Sequence, residues 1–215
     1  MNLDPNLDIS RPSALLRPRL SVLEVRGADA AKILGNLTTN QINDATESRA
    51  VETFVTNLKG KTIGHVLALE RDNGFLLIGP PGQSEAIRQH VDRYTIREDA
   101  EADDAAGRWD VWVLHESRLP SNQIESLNAH PSPVRTVRVD WLGPHTHLWI
   151  TASKSNDPAR LEPPTAWSAI TENETAFHDR RTRWGYPWFG IDFTDANLPQ
   201  EVDRDATAIS FTKGC

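Results

Sequence analysis

Residues 50–79 decide the fold: Ala50-Val-Glu-Thr-Phe-Val-Thr-Asn57, Leu58-Lys-Gly-Lys61, Thr62-Ile-Gly-His-Val-Leu-Ala-Leu-Glu70, Arg71-Asp-Asn-Gly74 and Phe75-Leu-Leu-Ile-Gly79. Three β-type runs (Ala50–Asn57, Thr62–Glu70 and Gly74–Gly79) are separated by two short polar stretches containing glycine. Such stretches favour tight hairpin turns, so the three runs predict an antiparallel meander. Before it, Leu20-Ser-Val-Leu-Glu-Val-Arg26 alternates as a strand. Gly27 interrupts it, and Ala30, Ile33, Leu34 and Leu37 then share one helical face over Asp29–Leu37.

After the meander, Gln83–Tyr94 reads as an amphipathic helix and Arg97–Asp104 as a solvated acidic loop. Trp109–His115 is a predicted strand and Ser121–Asn128 a short helix. Val134–Leu142 and His147–Ala152 pair as a hairpin. The Pro-rich 153–164 stretch is a connector, and Asn173–Trp184 is a helix followed by an irregular aromatic stretch. Strands and helices mix without a βαβ rhythm, and no Gly-x-Gly-x-x-Gly or Walker loop is present. The expected class is α+β, built on antiparallel sheets.

Composition bounds the rest. With 215 residues, the chain suits one large domain or two small intertwined ones. A single cysteine, Cys215, excludes an intramolecular disulfide and a cysteine-ligated metal centre within one chain, and makes a reducing cytoplasm the expected compartment. No apolar run reaches the ~20 residues that span a bilayer. The net charge of −7 argues against broad nucleic-acid binding.

Several clusters have both a structural and a chemical reading. His145-Thr-His147 could ligate a metal from one strand face, but no third ligand stands nearby, and an exposed hairpin edge accounts for it. Lys59 and Lys61 flank a turn glycine and could touch an anion, as solvated hairpin lysines also do. Asp203-Arg204-Asp205 reads as a surface loop with local charge pairing. Arg180, Arg181 and Arg183 suit the last turns of a helix, where its dipole favours cations. Arg181, one turn before Gly185, is also placed to grip a carboxylate bidentately. Trp184, Tyr186 and Trp188 suit a core or a wall for a flat ring. In the tail, Ile209-Ser-Phe-Thr-Lys-Gly-Cys215, Lys213 is expected to favour the thiolate of Cys215, and Gly214 to permit a tight backbone turn.

These segments resemble the glycine-cleavage T-protein superfamily, and specifically its YgfZ-type branch of folate-binding, iron–sulfur maturation proteins. The resemblance rests on Val25-Arg-Gly-Ala-Asp-Ala30, Ile33-Leu-Gly-Asn-Leu-Thr-Thr-Asn40, Asn57-Leu-Lys-Gly-Lys61, Arg181-Thr-Arg-Trp-Gly185-Tyr-Pro, Phe189-Gly-Ile-Asp192 and Leu198-Pro-Gln-Glu201, in order. Lys213-Gly-Cys215 looks like the start of a Lys-Gly-Cys-Tyr-x-Gly-Gln-Glu signature, so the expectation is a chain cut within that motif and lacking a C-terminal β-barrel. Residues 1–18, with three prolines and little periodicity, read as an extended N-terminal arm; the resemblance implies two interlocked α+β folate-binding subdomains over 19–205 and the start of the signature over 206–215.

It also implies tetrahydrofolate as cofactor. Arg181 matches the arginine at folate's carboxylate end, Glu201 the acid ordering a loop beside the cavity, and Leu76 and Ile78 the strand lining the pterin wall. Lys213, Gly214 and Cys215 match the signature, with Cys215 as functional thiol and Lys213 tuning it. The transferase acids are missing: Gly64-His65 stands at the Asp-Asp pair and Leu148 at the pterin-reading glutamate. The implied role is a monomeric cytoplasmic accessory of iron–sulfur client enzymes. An aminomethyltransferase and a tRNA-modification partner, the latter using Arg180, Arg183, Lys59 and Lys61, are the alternatives.

Overall fold

The computed structural model describes residues 14–115, 135–153, 171–172 and 174–213. They divide into two compact units: residues 1–18 with 111–184, and residues 19–110 with 185–215. The α+β class holds, with two five-stranded sheets dominated by antiparallel pairing.

In the second unit, β2 (Ser21–Arg26), β3 (Val51–Thr56), β4 (Thr62–Arg71), β5 (Gly74–Gly79) and β6 (Glu101–Asp104) run in the order β3-β4-β5-β2-β6. The predicted meander forms in register, because local chemistry sets both turns. Asn57 Oδ1 accepts the Lys59 and Lys61 amides at 2.9 and 3.1 Å, and Gly60 takes φ +74°. A register shift between Val55 and Thr56 bulges β3. At the next turn Asn73 takes φ +58°, a conformation asparagine tolerates better than most residues.

Alternation then gives the sheet two different faces. One face bears Leu23, Val25, Val55, Val66, Ala68 and Leu77 and packs against α1 (Ala30–Leu37) and α2 (Ser84–Tyr94). From α1 come Ile33, Leu34 and Leu37, and from α2 Ile87 and Val91. The other face presents Glu52 and Phe54 of β3, His65 and Leu67 of β4, and Leu76 and Ile78 of β5, all buried.

Residues 101–104, inside the expected acidic loop, form the edge strand β6 instead. Its neighbour β2 supplies a ladder, Ala102 is buried, and Asp103 pairs with Arg26, so acidity on an outward edge is compatible with pairing.

In the first unit, β1 (Ala14–Leu16), β7 (Trp109–His115), β8 (Arg135–Val139), β9 (Thr146–Ala152) and β10 (Thr171–Glu172) run in the order β10-β1-β7-β9-β8. Ala14–Leu16, within the expected arm, is thus a strand. The predicted hairpin of β8 and β9 is present. The predicted helix near the chain end is α3 (Glu174–Arg183), whose Phe177 packs edge-on against Trp141 at 6.2 Å. The Trp184 ring lies so close to Gly143 that a Cβ there would approach it to 2.3 Å. The expected helix over 121–128 lies outside the described residues. His145 takes φ +69° just before β9, so it leaves the strand and does not share a strand face with His147.

Candidate functional site

The residues with the most constrained chemistry lie on the second unit's sheet, on the face away from its helices. Glu52 and Phe54 occupy alternate positions of β3, and His65 stands opposite Phe54 on β4. The 185–213 segment returns over them, bringing Tyr186, Phe193 and Arg204, the last just before the short helix α4 (Asp205–Ala208).

Glu52 Oε1 accepts His65 Nε2 at 2.8 Å and Arg204 Nε at 2.8 Å, while Arg204 Nη2 donates to Oε2. The arginine therefore holds the carboxylate with both arms of its fork. The Glu52 and His65 side chains are 7% and 1% exposed and that of Arg204 14%, so the guanidinium is the outermost of the three. His65 stacks on Phe54 with ring centres 4.6 Å apart, and on Tyr186 at 5.7 Å. The Arg204 guanidinium lies over the Tyr186 ring at 4.8 Å.

Burial alone would raise the Glu52 pKa. The bonds and charges of Arg204 and His65 outweigh it and hold the carboxyl at about 2. Glu52 is ionised at any ordinary pH. Two buried polar atoms here have no partner among the described residues: His65 Nδ1, in the ring that donates to Glu52, and Asp205 Oδ1, next to Arg204 in sequence.

A second constellation fixes the tail. The Lys213 ammonium donates to the carbonyls of Thr38 (2.5 Å) and Asn40 (3.0 Å) where α1 ends, and burial lowers its pKa. The Ser210 amide donates to Thr39 O, and Thr39 Oγ1 to Ala208 O. Lys213 thus anchors the tail to the Thr38–Asn40 turn. Gly214 and Cys215 lie outside the described residues.

The other sequence-predicted residues are dispersed. Glu201 is exposed and accepts the Leu198 amide and the Asn197 side chain, each at 3.0 Å, ordering the loop that carries it; these bonds lower its pKa. Leu76 and Ile78 are buried on the Glu52 face of the sheet. Arg181, in the first unit, is 2% exposed and its Nε donates to His178 Nδ1 at 2.7 Å. Leu148, also in the first unit, is fully buried on β9. Lys61 Nζ donates to Ala196 O at 2.6 Å. Of the three clustered aromatics, Tyr186 and Trp188 are core residues and Trp184 is partly exposed. A cleft of about 300 Å³ in the second unit is lined by Ile63, Gln83, Phe189 and Asp195 among others. The Gln83 side chain is spent on the His65 backbone, accepting its N–H and donating to its carbonyl.

Sequence reasoning missed the Glu52–His65–Arg204 group. Arg204 is not in a locally paired surface loop: its partner is 152 residues away. One signal was available, since strand alternation puts Glu52 on the same face as Phe54, where a charge requires a partner.

Comparison with solved structures places this architecture. The crystal structure of glycine cleavage system aminomethyltransferase T from Bartonella henselae matches 93% of this chain with a TM-score of 0.66, at 11% sequence identity. The chain's fold is similar to that of the T-protein. It spans 62% of the length of that aminomethyltransferase. No family model matches the sequence, and no curated protein matches it by sequence. Among the described residues no helix is long and apolar enough to cross a membrane.

Proposed function

We propose that this T-protein-like chain is a YgfZ-type accessory protein: it binds a folate and supports maturation or repair of iron–sulfur enzymes rather than transferring aminomethyl groups. One observation carries the reading. His65 stands where the resemblance puts a transferase carboxylate, and its ring is buried, stacked on Phe54 and Tyr186 and committed to Glu52. A group so held cannot replace a free carboxylate beside a reacting one-carbon unit.

The residues matched to folate fit it in part. Leu76 and Ile78 supply an apolar strand face suited to a flat pterin ring. Leu148 offers no acceptor to the pterin's adjacent N–H groups, and Arg181 already gives its Nε to His178.

Calorimetry with tetrahydrofolate tests the reading on wild type and Arg181→Ala. Binding that weakens in the variant supports it, and equal affinity refutes the placement of Arg181. In cells, Cys215→Ala should lower iron–sulfur enzyme activity while the protein stays folded. Aminomethyl turnover on tetrahydrofolate would overturn the accessory role. A tRNA partner would add salt-dependent RNA binding that falls on charge reversal at Lys59.

A further inference from the structure

We propose that the cleft in the second unit binds a small organic cation, an ammonium group on an apolar body, with Asp195 as the recognising carboxylate. Its apolar walls are Ile63, Ala86 and Phe189, and its polar lining includes Gln83, Thr194 and Asp195.

The cleft is separate from the face matched to folate. Ile63 packs against the helix-facing core, and a Cβ on neighbouring Gly64 would meet Ile87 of α2 at 2.6 Å. The cleft therefore opens on the helix side of the sheet. Leu77 points to that side, so Leu76 and Ile78 point away from it. The inference does not depend on the folate reading.

Charge identifies the ligand. Asp195 is the only ionisable side chain among the described lining residues, and its carboxylate has no hydrogen bond or ion pair. The carboxylates flanking the cleft are all engaged. Glu201 accepts the Leu198 amide and the Asn197 side chain, Asp192 accepts the Trp188 amide, and Glu85 is paired with Arg88. Asp195 alone is left open. Beside it, Thr194 Oγ1 accepts the Ala196 amide at 3.3 Å and keeps a second lone pair. An ammonium carries three donors, and two carboxylate oxygens with one hydroxyl oxygen match them. The start of α2 disfavours positive charge, which sets the orientation: ammonium toward Asp195, apolar body toward Ala86 and Ile63.

The walls are fixed before any ligand arrives. Gln83 is clamped to both polar groups of the His65 backbone, at 2.7 and 2.9 Å. The Gly190 amide donates to Phe193 O at 2.8 Å, and Phe189 packs edge-on against Phe193 at 5.5 Å. The Thr194 amide donates to Asn197 Oδ1, and the Thr62 amide to Asn197 O, tying the loop to β4. Little ordering cost is left for binding to meet. A volume of about 300 Å³ lies at the lower end of the roughly 300–1,000 Å³ of small-molecule sites, so the body is a single ring or a short chain.

Benzylammonium is the probe, titrated into the full chain and followed by amide NMR. Saturable shifts are expected at Ala86, Gly190 and Asp195. Benzyl alcohol, which has the same shape without the charge, should bind about tenfold more weakly, as should benzylammonium to Asp195→Asn. Ala86→Leu fills the cleft from an exposed helical position and should abolish the shifts. Both variants should keep the wild-type Tm. Absence of saturable shifts, or shifts unchanged in Ala86→Leu, would overturn the site. Equal binding of benzyl alcohol, or undiminished affinity in Asp195→Asn, would overturn recognition of a cation. Competition by tetrahydrofolate would overturn the separation of the two sites.

Discussion

Glu52→Gln isolates the charge at the centre of the second unit, and the structure sets its effect. In the folded protein the carboxyl titrates at about 2 against an ordinary 4.5. At about 1.4 kcal/mol per pKa unit, ionised Glu52 contributes about 3 kcal/mol at pH 7. That agrees with the roughly 3–5 kcal/mol lost when one partner of a buried ion pair is removed. The sign follows from a depressed acid pKa: the contribution is complete above the unfolded value and disappears as pH falls through the folded one. Linkage leaves a little under half of it at pH 3. Urea unfolding of wild type and Glu52→Gln at pH 7 and pH 3 should therefore show a stability gap that shrinks by about half. A gap below about 1 kcal/mol at pH 7, or one equal at both pH values, would refute a buried, ionised Glu52 held by Arg204 and His65.

Three further outcomes follow from packing. Leu77→Ala, at a fully buried position in the helix-facing core, should cost about 2–5 kcal/mol in denaturant unfolding without changing the far-ultraviolet spectrum of the residual folded state. Gly27→Ala combines φ +121° with a Cβ that would meet Asp99 O at 2.1 Å, so thermal melting should show a loss of about 2–4 kcal/mol. Lys213→Met removes the ammonium from the Thr38 and Asn40 carbonyls. Exchange of the Ser210 amide should rise about tenfold, from the roughly 1.5 kcal/mol carried by a charged hydrogen bond, with the sheet amides unaffected.

Lys213 shows what only the folded chain decides. A lysine two residues before a cysteine suggests a neighbour that lowers the thiol pKa. In the folded chain its ammonium is held by backbone carbonyls from 175 and 173 residues away, which gives it an anchoring role. Glu201 bonds to residues three and four positions away, within reach of local reasoning. The edge strand β6 was misread because its acidic residues suit solvent, and only the partner β2 gives their backbone a ladder.

The sequence by itself determined the α+β class, the β3-β4-β5 meander, the core face of α1 and the closing hairpin of the first unit. Periodicity and turn chemistry are properties of neighbouring residues, so they can be read along the chain. Tertiary structure alone decided that Glu52, His65, Tyr186 and Arg204 form one buried group, and that Lys213 grips the turn after α1. Those meetings depend on the 185–213 segment returning to a strand edge set more than a hundred residues earlier. A charge buried on a strand announces that it needs a partner. Which residue answers is settled only by the path of the folded chain.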